Sequence, residues 1–295
     1  MKTWCIAIAL TTFISCNISA QEYAFKVLVN KGQNVVKAGN DWKLIKVGSS
    51  LKSIDELKIS QNAYLGLVHV SGKPLEVKDA GQYKVVDLAA KVSGGSSVLN
   101  KYTDFILSSK DQKNNNLTAT GAVHRGADAI KVFLPKPQFA IVYNDNISIA
   151  WAKDAKTKDY IVRFNSMFGD ELDKLEVQDT MVSINLNGPK FINEDNILVE
   201  VSSKSDKNKV SETFMLKKLS PADKMRINNS LSEIASQTKE QTALNKLYLA
   251  NFYEQNALLI DASTAYQAAI KLAPNVPYFQ EAYGQFLVRN GLKNQ

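Results

Sequence analysis

The sequence predicts a multidomain protein of β plus α class: a small N-terminal β domain, a central β-sandwich and C-terminal helical hairpins. Three observations carry this. Short apolar runs alternate with polar residues over the first two thirds of the 295-residue chain and are broken by Gly, Asn, Asp and Lys clusters. At Ser220-Pro221 the spacing of apolar residues turns helical. Small and aromatic residues then recur through "LYLANFYEQNALLIDASTAYQAAIKLAPN", residues 247–275, as they do where helices stack side by side.

The chain opens with Met1-Lys2-Thr3, an apolar run from Trp4 to Ile14, and the small residues Ile18-Ser19-Ala20 ahead of Gln21. That order is the anatomy of a secretory signal peptide, residues 1–20, and the protein is expected to be exported to a periplasmic or extracellular space. The run is shorter than the roughly 20 apolar residues of a bilayer span, and no later stretch approaches that length, so no transmembrane helix is expected. Phe13-Ile14-Ser15-Cys16 resembles a bacterial lipobox, which gives the alternative of a lipid anchor at Cys16. Both cysteines, Cys5 and Cys16, fall in this leader, so cleavage after Ala20 leaves neither a disulfide nor a thiol nucleophile.

Charge is uneven. Residues 21–136 hold 17 Lys/Arg against 10 Asp/Glu, an excess that equals the whole chain's formal +7. Such a surface could attract an anionic partner, a lipid headgroup or an acidic polymer, although evenly spaced lysines are also what an ordinary solvated surface looks like. No basic block is interleaved with aromatics, so a nucleic-acid partner is not expected.

In residues 21–86, Phe25, Val27 and Val29 are expected to share one strand face, with Gly32 as a turn. In "WKLIKVGSSLKSIDELKISQNAYLGLVHVSGKPLEV", residues 42–77, the segment Tyr64–Val70 reads as a strand. Ser71-Gly72-Lys73-Pro74 then turns the chain back through Leu75-Glu76-Val77. Trp42, Leu44, Gly48, Leu51, Asp55, Ile59, Ser60, Leu65, Gly72 and Leu75 stand in a pattern that resembles the FecR-type β domain of the bacterial periplasm. The resemblance implies a periplasmic interaction domain whose motif is mostly turns and core positions. That family's iron-citrate regulator has a cytoplasmic segment and a membrane helix ahead of the domain. This chain shows neither pattern, so signalling across a membrane does not transfer with the resemblance.

Residues 87–136 are expected to hold a helical segment and a polar linker. Val86, Leu88, Ala89 and Val92 start at helical spacing, Gly94-Gly95-Ser96-Ser97 breaks it, and "SVLNKYTDFIL" resumes it. "KDQKNNNLTATGAVHRGAD" reads as linker.

Residues 137–218 contain "QFAIVY", "ISIAWA", "YIVRF", "MVSINL", "NILVEV" and "ETFML", six alternating runs that predict a sandwich. "ISIAW…DYIVRF" resembles the Trp-strand and Tyr-strand pair of fibronectin type III domains. Ile197-Leu198-Val199 stands where that family's later tyrosine would be.

Residues 219–295 begin with Ser220 as N-cap, Pro221 at the first helical position and Asp223 in the first turn. Leu249, Ala250, Tyr253, Ala262, Tyr266, Ala269 and Pro274 match the frame of a tetratricopeptide repeat, and a second unit starts at Pro277 and stops after one helix. A repeat fragment cannot bury its apolar side alone. It must dock on the rest of the chain as a cap or stack on a partner. The resemblance places partner contacts on the inner helices, at Asn251, Glu254, Gln255, Gln285 and Arg289. Leu247 stands where repeats that clamp a peptide carboxylate carry Lys, so that clamp is not expected.

Catalytic signals are thin. His69 reads as a packed or edge residue of its strand. His124 with Arg125 and Asp128 could hold an anion or serve as a base, yet no nucleophile motif accompanies them. No phosphate loop, calcium loop or metal-ligand spacing is present, and "GDELDKLEVQD" at 169–179 alternates Leu with charge as a half-buried segment does. No cofactor, metal or catalytic residue is expected. The chain reads as a non-enzymatic binding or scaffold protein of the bacterial cell envelope with a protein partner. The alternative is an envelope glycan-binding protein or a glycan-active secreted enzyme.

Overall fold

The computed structural model describes residues 23–92, 99–111, 129–135, 140–238 and 240–293. The leader with Cys5 and Cys16, the Gly94–Ser97 break, and the stretch holding His124 and Arg125 lie outside the described residues. The described residues have a β-plus-α architecture: four sheets, with most of the helices toward the C-terminal end.

Eight short strands build the first module: β1 (Tyr23–Lys31), β2 (Val35–Ala38), β3 (Asp41–Leu44), β4 (Ser50–Lys52), β5 (Glu56–Ile59), β6 (Tyr64–His69), β7 (Pro74–Val77) and β8 (Gly81–Lys84). They form two four-stranded sheets, ordered β4-β1-β6-β7 and β3-β2-β5-β8. Phe25, Val27, Ile45, Leu51, Leu57, Leu65 and Leu67 pack between them, and the short helix α1 (Val85–Ala90) closes this core with Val85 and Leu88.

A single irregularity in β1 lets this module serve two cores. Val27 pairs with Leu67, but Val29 pairs with Gly66, so Leu28 is an extra residue in the strand. A strand's side chains alternate with period two, and a one-residue insertion swaps faces. Phe25 and Val27 therefore point into the module, whereas Leu28 and Val29 join a second core on the sheet's other side. The expectation that Phe25, Val27 and Val29 share a face is corrected here. Gly66 is what makes room, since a Cβ there would meet the Val29 Cβ at 3.1 Å. Strand β6 is buried on both faces, which suits its unbroken apolar run.

Two expected core positions lie elsewhere. Trp42 is 41% exposed and Leu44 64% exposed on the edge strand β3, because the pairings Lys37↔Trp42 and Val35↔Leu44 turn both toward the outer side of their sheet.

Helix α2 (Asn100–Asp111) leaves this module and packs on the C-terminal helices. The sandwich comes next: β9 (Ala140–Val142), β10 (Asn146–Ala150), β11 (Tyr160–Asn165), β12 (Glu171–Val177), β13 (Met181–Asn185), β14 (Asn196–Ser203) and β15 (Phe214–Lys218). A five-stranded sheet, β12-β11-β14-β15-β9, faces the pair β10-β13. Trp151 and Tyr160 meet edge to face at 5.3 Å in its core. The sandwich starts earlier than residue 137. Val132 bridges to Trp151, Phe133 N–H donates to the Ala150 carbonyl at 2.8 Å, and Ile130, Val132 and Leu134 are buried in the sandwich core. Residues 130–134, read as linker, are a further edge of the sheet.

Four helices complete the chain: α3 (Pro221–Gln237), α4 (Ala243–Gln255), α5 (Leu259–Leu272) and α6 (Pro277–Arg289). The Ser220 hydroxyl accepts from Asp223 N–H at 3.2 Å and Pro221 occupies the first turn, as the sequence signals. Thr242 caps α4 in the same way through Asn245 N–H. Helices α4 and α5 form an antiparallel hairpin in which Ala250, Ala262 and Ala269 are fully buried. Small side chains at these positions let the helix axes approach closely. At the end of α6, Gly291 takes φ +67°, and Leu292 N–H closes back on the Leu287 carbonyl at 2.8 Å.

These helices are not a free-standing unit. One continuous apolar cluster runs from Leu28, Val29, Tyr64 and Val68 of the first module through Leu99, Tyr102 and Ile106 to helices α3–α6 and Tyr143 of the sandwich. Ile260 of α5 is buried in the sandwich core itself. The helical layer lies between the two β modules, and both help to bury it.

Candidate functional site

The inner side of the helical hairpins, where the sequence places partner contacts, is built from α4 and α6 with α2 lying against them. Tyr102 of α2 packs edge-on against Phe252 at 6.2 Å, and Thr103 and Tyr248 share a buried hydroxyl hydrogen bond of 2.7 Å. Burial pushes the Tyr248 phenol well above its ordinary range, so it stays protonated.

Three of the five expected contact residues are engaged within the fold. Asn251 is only 2% exposed, and its amide donates to the Leu247 carbonyl at 2.7 Å. Glu254 is gripped by Arg289 through two bonds of 2.8 and 2.9 Å, by Asn290 at 2.8 Å and by the Tyr266 hydroxyl at 3.2 Å. The Arg289 guanidinium also lies over the Phe105 ring of α2, 5.3 Å from its centroid. A bidentate, half-buried pair of this kind fixes geometry between helices. It joins α4 to α6, and the stacking of Arg289 on Phe105 adds α2. Gln255 is exposed at the end of α4, and Gln285 lines a shallow cleft. That cleft also takes in Ile106, Tyr278, Glu281 and Arg289, and its room is about that of a single water molecule.

Two carboxylates fasten the helical layer to the modules, and neither stands in a motif that marks it in the sequence. Glu76 on β7 accepts from Leu244 N–H at 2.7 Å, in the first turn of α4, and from the Tyr64 hydroxyl. Lys78 pairs with it from the solvent side. A carboxylate at a helix N-terminus satisfies an orphan N–H and meets the positive end of the helix dipole. Tyr64, itself buried, has its phenol raised by that burial and by the Glu76 charge.

Asp261 reaches the other way. It sits in the first turn of α5, 1% exposed, and accepts from Tyr143 N–H at 2.9 Å, Asn144 N–H at 2.7 Å and the Asn144 amide at 2.8 Å. Burial pushes its carboxyl up to about 6, although three donors pull the other way. Ser148 N–H donates to Thr264 beside it, and Lys224 of α3 pairs with Asp145 at 3.0 Å.

No protein-family model matches the chain, and no curated protein matches it. Among the described residues no group of three or more His, Cys, Asp or Glu is placed to hold a metal ion, and no helix is long and apolar enough to cross a membrane. His69 packs edge-on against Phe25 at 5.2 Å and bonds the Ser71 hydroxyl at 2.8 Å. Burial lowers its imidazole below the ordinary value.

The most exposed large apolar side chain on the described surface is Phe168, at 94%. It sits at the β11–β12 turn, next to Met167, on a tip held from beneath. The Ser166 hydroxyl accepts from both Phe168 N–H and Asp170 N–H at 3.1 Å, Ser166 N–H donates to the Asp170 carbonyl at 2.8 Å, and Gly169 takes φ +95° to close the turn. Ser166 is buried while the two residues it supports are not. Asp170 and Glu171 flank the tip with negative charge.

Proposed function

We propose that the protein is a non-enzymatic, exported scaffold of the bacterial cell envelope that captures a protein partner. Resemblance of the first module to FecR-type domains and of the last helices to tetratricopeptide repeats supports the envelope and partner parts of this reading. The signal-like leader supports export, with a lipid anchor at Cys16 as the variant form. The observation that carries it is the Ser166-braced turn presenting Phe168 to solvent. An aromatic residue whose backbone is already fixed has less freedom to lose on binding and makes a strong anchor at an interface. The acidic flank suits a partner whose apolar socket has a basic rim. Gln255 and Gln285 on the helices are the secondary contact surface, since Asn251, Glu254 and Arg289 are committed within the fold.

Site-specific photocrosslinking in intact envelopes tests this. A probe at position 168 is expected to give one discrete protein adduct, and a probe at Gln255 a weaker one. Absence of any adduct from 168, with strong adducts from 255 or 285, would move the interface to the helices.

A further inference from the structure

The outer face of the sheet β3-β2-β5-β8 brings exposed apolar and basic side chains together. Val36, Leu57 and Tyr83 turn inward to the module core. Strand register therefore puts their neighbours on the outside, in two rows across four strands. Trp42, Lys37, Glu56 and Lys84 make one row, and Leu44, Val35, Lys58 and Gln82 make the next. With strands about 4.8 Å apart, the face is about 15 Å wide, and the rows lie about 7 Å from one another. Trp42 and Leu44 stand exposed on the edge strand, and Lys58, Gln82 and Lys84 are exposed across the rest. Glu56, the one acidic group of these two rows, is spoken for: Lys37 pairs with it at 3.8 Å and Gln82 donates to it at 3.4 Å.

We propose that this face binds an anionic polysaccharide, a polymer of sugar rings bearing carboxylates. A sugar ring has an apolar face, which stacks on an indole, and an equatorial rim of hydroxyl and carboxylate groups, which suits Gln82 and the lysines. With Lys37 paired to Glu56, Lys58 and Lys84 leave the two rows a surplus of two positive charges, which gives the charge complementarity. A four-stranded face with its aromatic group on the edge strand offers room for an extended chain laid across the strands. A lipid surface suits the apolar Trp42 and Leu44 but has no use for the Gln82 amide beside Lys58, so vesicles enter the test as the competing occupant. The proposal stands apart from the protein-partner reading, which rests on the opposite module.

The test is affinity electrophoresis and calorimetry of the full chain with polygalacturonate, dextran, polyphosphate and vesicles containing anionic lipid. Polygalacturonate binding is expected to weaken at least tenfold in the triple variant Lys37→Gln, Lys58→Gln, Lys84→Gln, and about fivefold in Trp42→Ala. Polyphosphate, which has no rings, should respond to the lysine variant and ignore the Trp42 one. Circular dichroism and melting of each variant establish that it is folded. If Trp42→Ala is not folded, Leu44→Ser and Lys58→Gln replace it. The proposal is overturned if polygalacturonate does not bind, if dextran binds equally, if neither set of variants changes binding, or if vesicles bind and exposed Ile54, changed to Ser, abolishes it. Loss of the Phe168 adduct without any change in polygalacturonate binding would leave this inference standing and remove the other.

Discussion

The two β modules hold the same helical layer by the same kind of group and in opposite senses. At the first module, the sheet supplies the carboxylate and the helix supplies the N–H. Glu76 caps α4 with Lys78 beside it and the Tyr64 hydroxyl donating to it. At the sandwich, the helix supplies the carboxylate: Asp261 collects three donors from Tyr143 and Asn144, all of them neutral N–H groups. Burial raises the Asp261 carboxyl to about 6 against the pull of those donors. A buried carboxylate served only by N–H groups remains costly in its charged form, and Lys78 gives Glu76 a cation that Asp261 lacks.

The largest expected effect is at the sandwich side. Asp261→Ala leaves the N–H groups of Tyr143 and Asn144 without acceptors and should lower unfolding free energy by about 3 kcal/mol, read by urea denaturation. Its pH dependence sharpens the contrast. A carboxyl whose folded value lies above its ordinary one contributes stability that is complete below about pH 4 and is lost as pH rises through about 6. The stability difference between the native chain and Asp261→Asn should therefore shift in the native chain's favour on going from pH 7 to pH 4. A flat difference would mean that the carboxylate is well solvated. At the first module, Glu76→Ala orphans Leu244 N–H and the Tyr64 hydroxyl and should cost about 2 kcal/mol, with amide exchange fastest at the start of α4. A loss equal to or greater than that of Asp261→Ala would reverse the ranking of the two docks.

A smaller effect belongs to the layer itself. Arg289→Ala breaks the grip on Glu254 and the stacking on Phe105, and should cost about 1 to 2 kcal/mol. A variant that melts at the native temperature would return Arg289 to the partner contacts.

The sequence made the elements legible and hid their faces. Val182, Ile184 and Leu186 alternate plainly, and Ser220-Pro221 marks the start of α3 without ambiguity. Ile130, Val132 and Leu134 also alternate, and that period is a usable signal inside a stretch whose composition reads as linker. The Leu28 insertion has no such signal, because a bulge is a property of the pairing of two strands and not of one. Trp42 and Leu44 look like core residues by type, and only the register of β2 against β3 turns them outward. Glu76 and Asp261 sit in ordinary stretches, "PLEV" and "LLIDAS", and gain their roles from backbone groups more than a hundred residues away. The unbroken apolar run of β6 is the one sign that something covers the module's second face.

The central claim is that the helical layer joins two β modules into one body. Differential scanning calorimetry of the full chain tests it most directly. A shared layer predicts one transition whose calorimetric and van't Hoff enthalpies agree, and whose midpoint falls as a whole in Asp261→Ala. Two or three separate transitions, with only one of them displaced by that substitution, would contradict it.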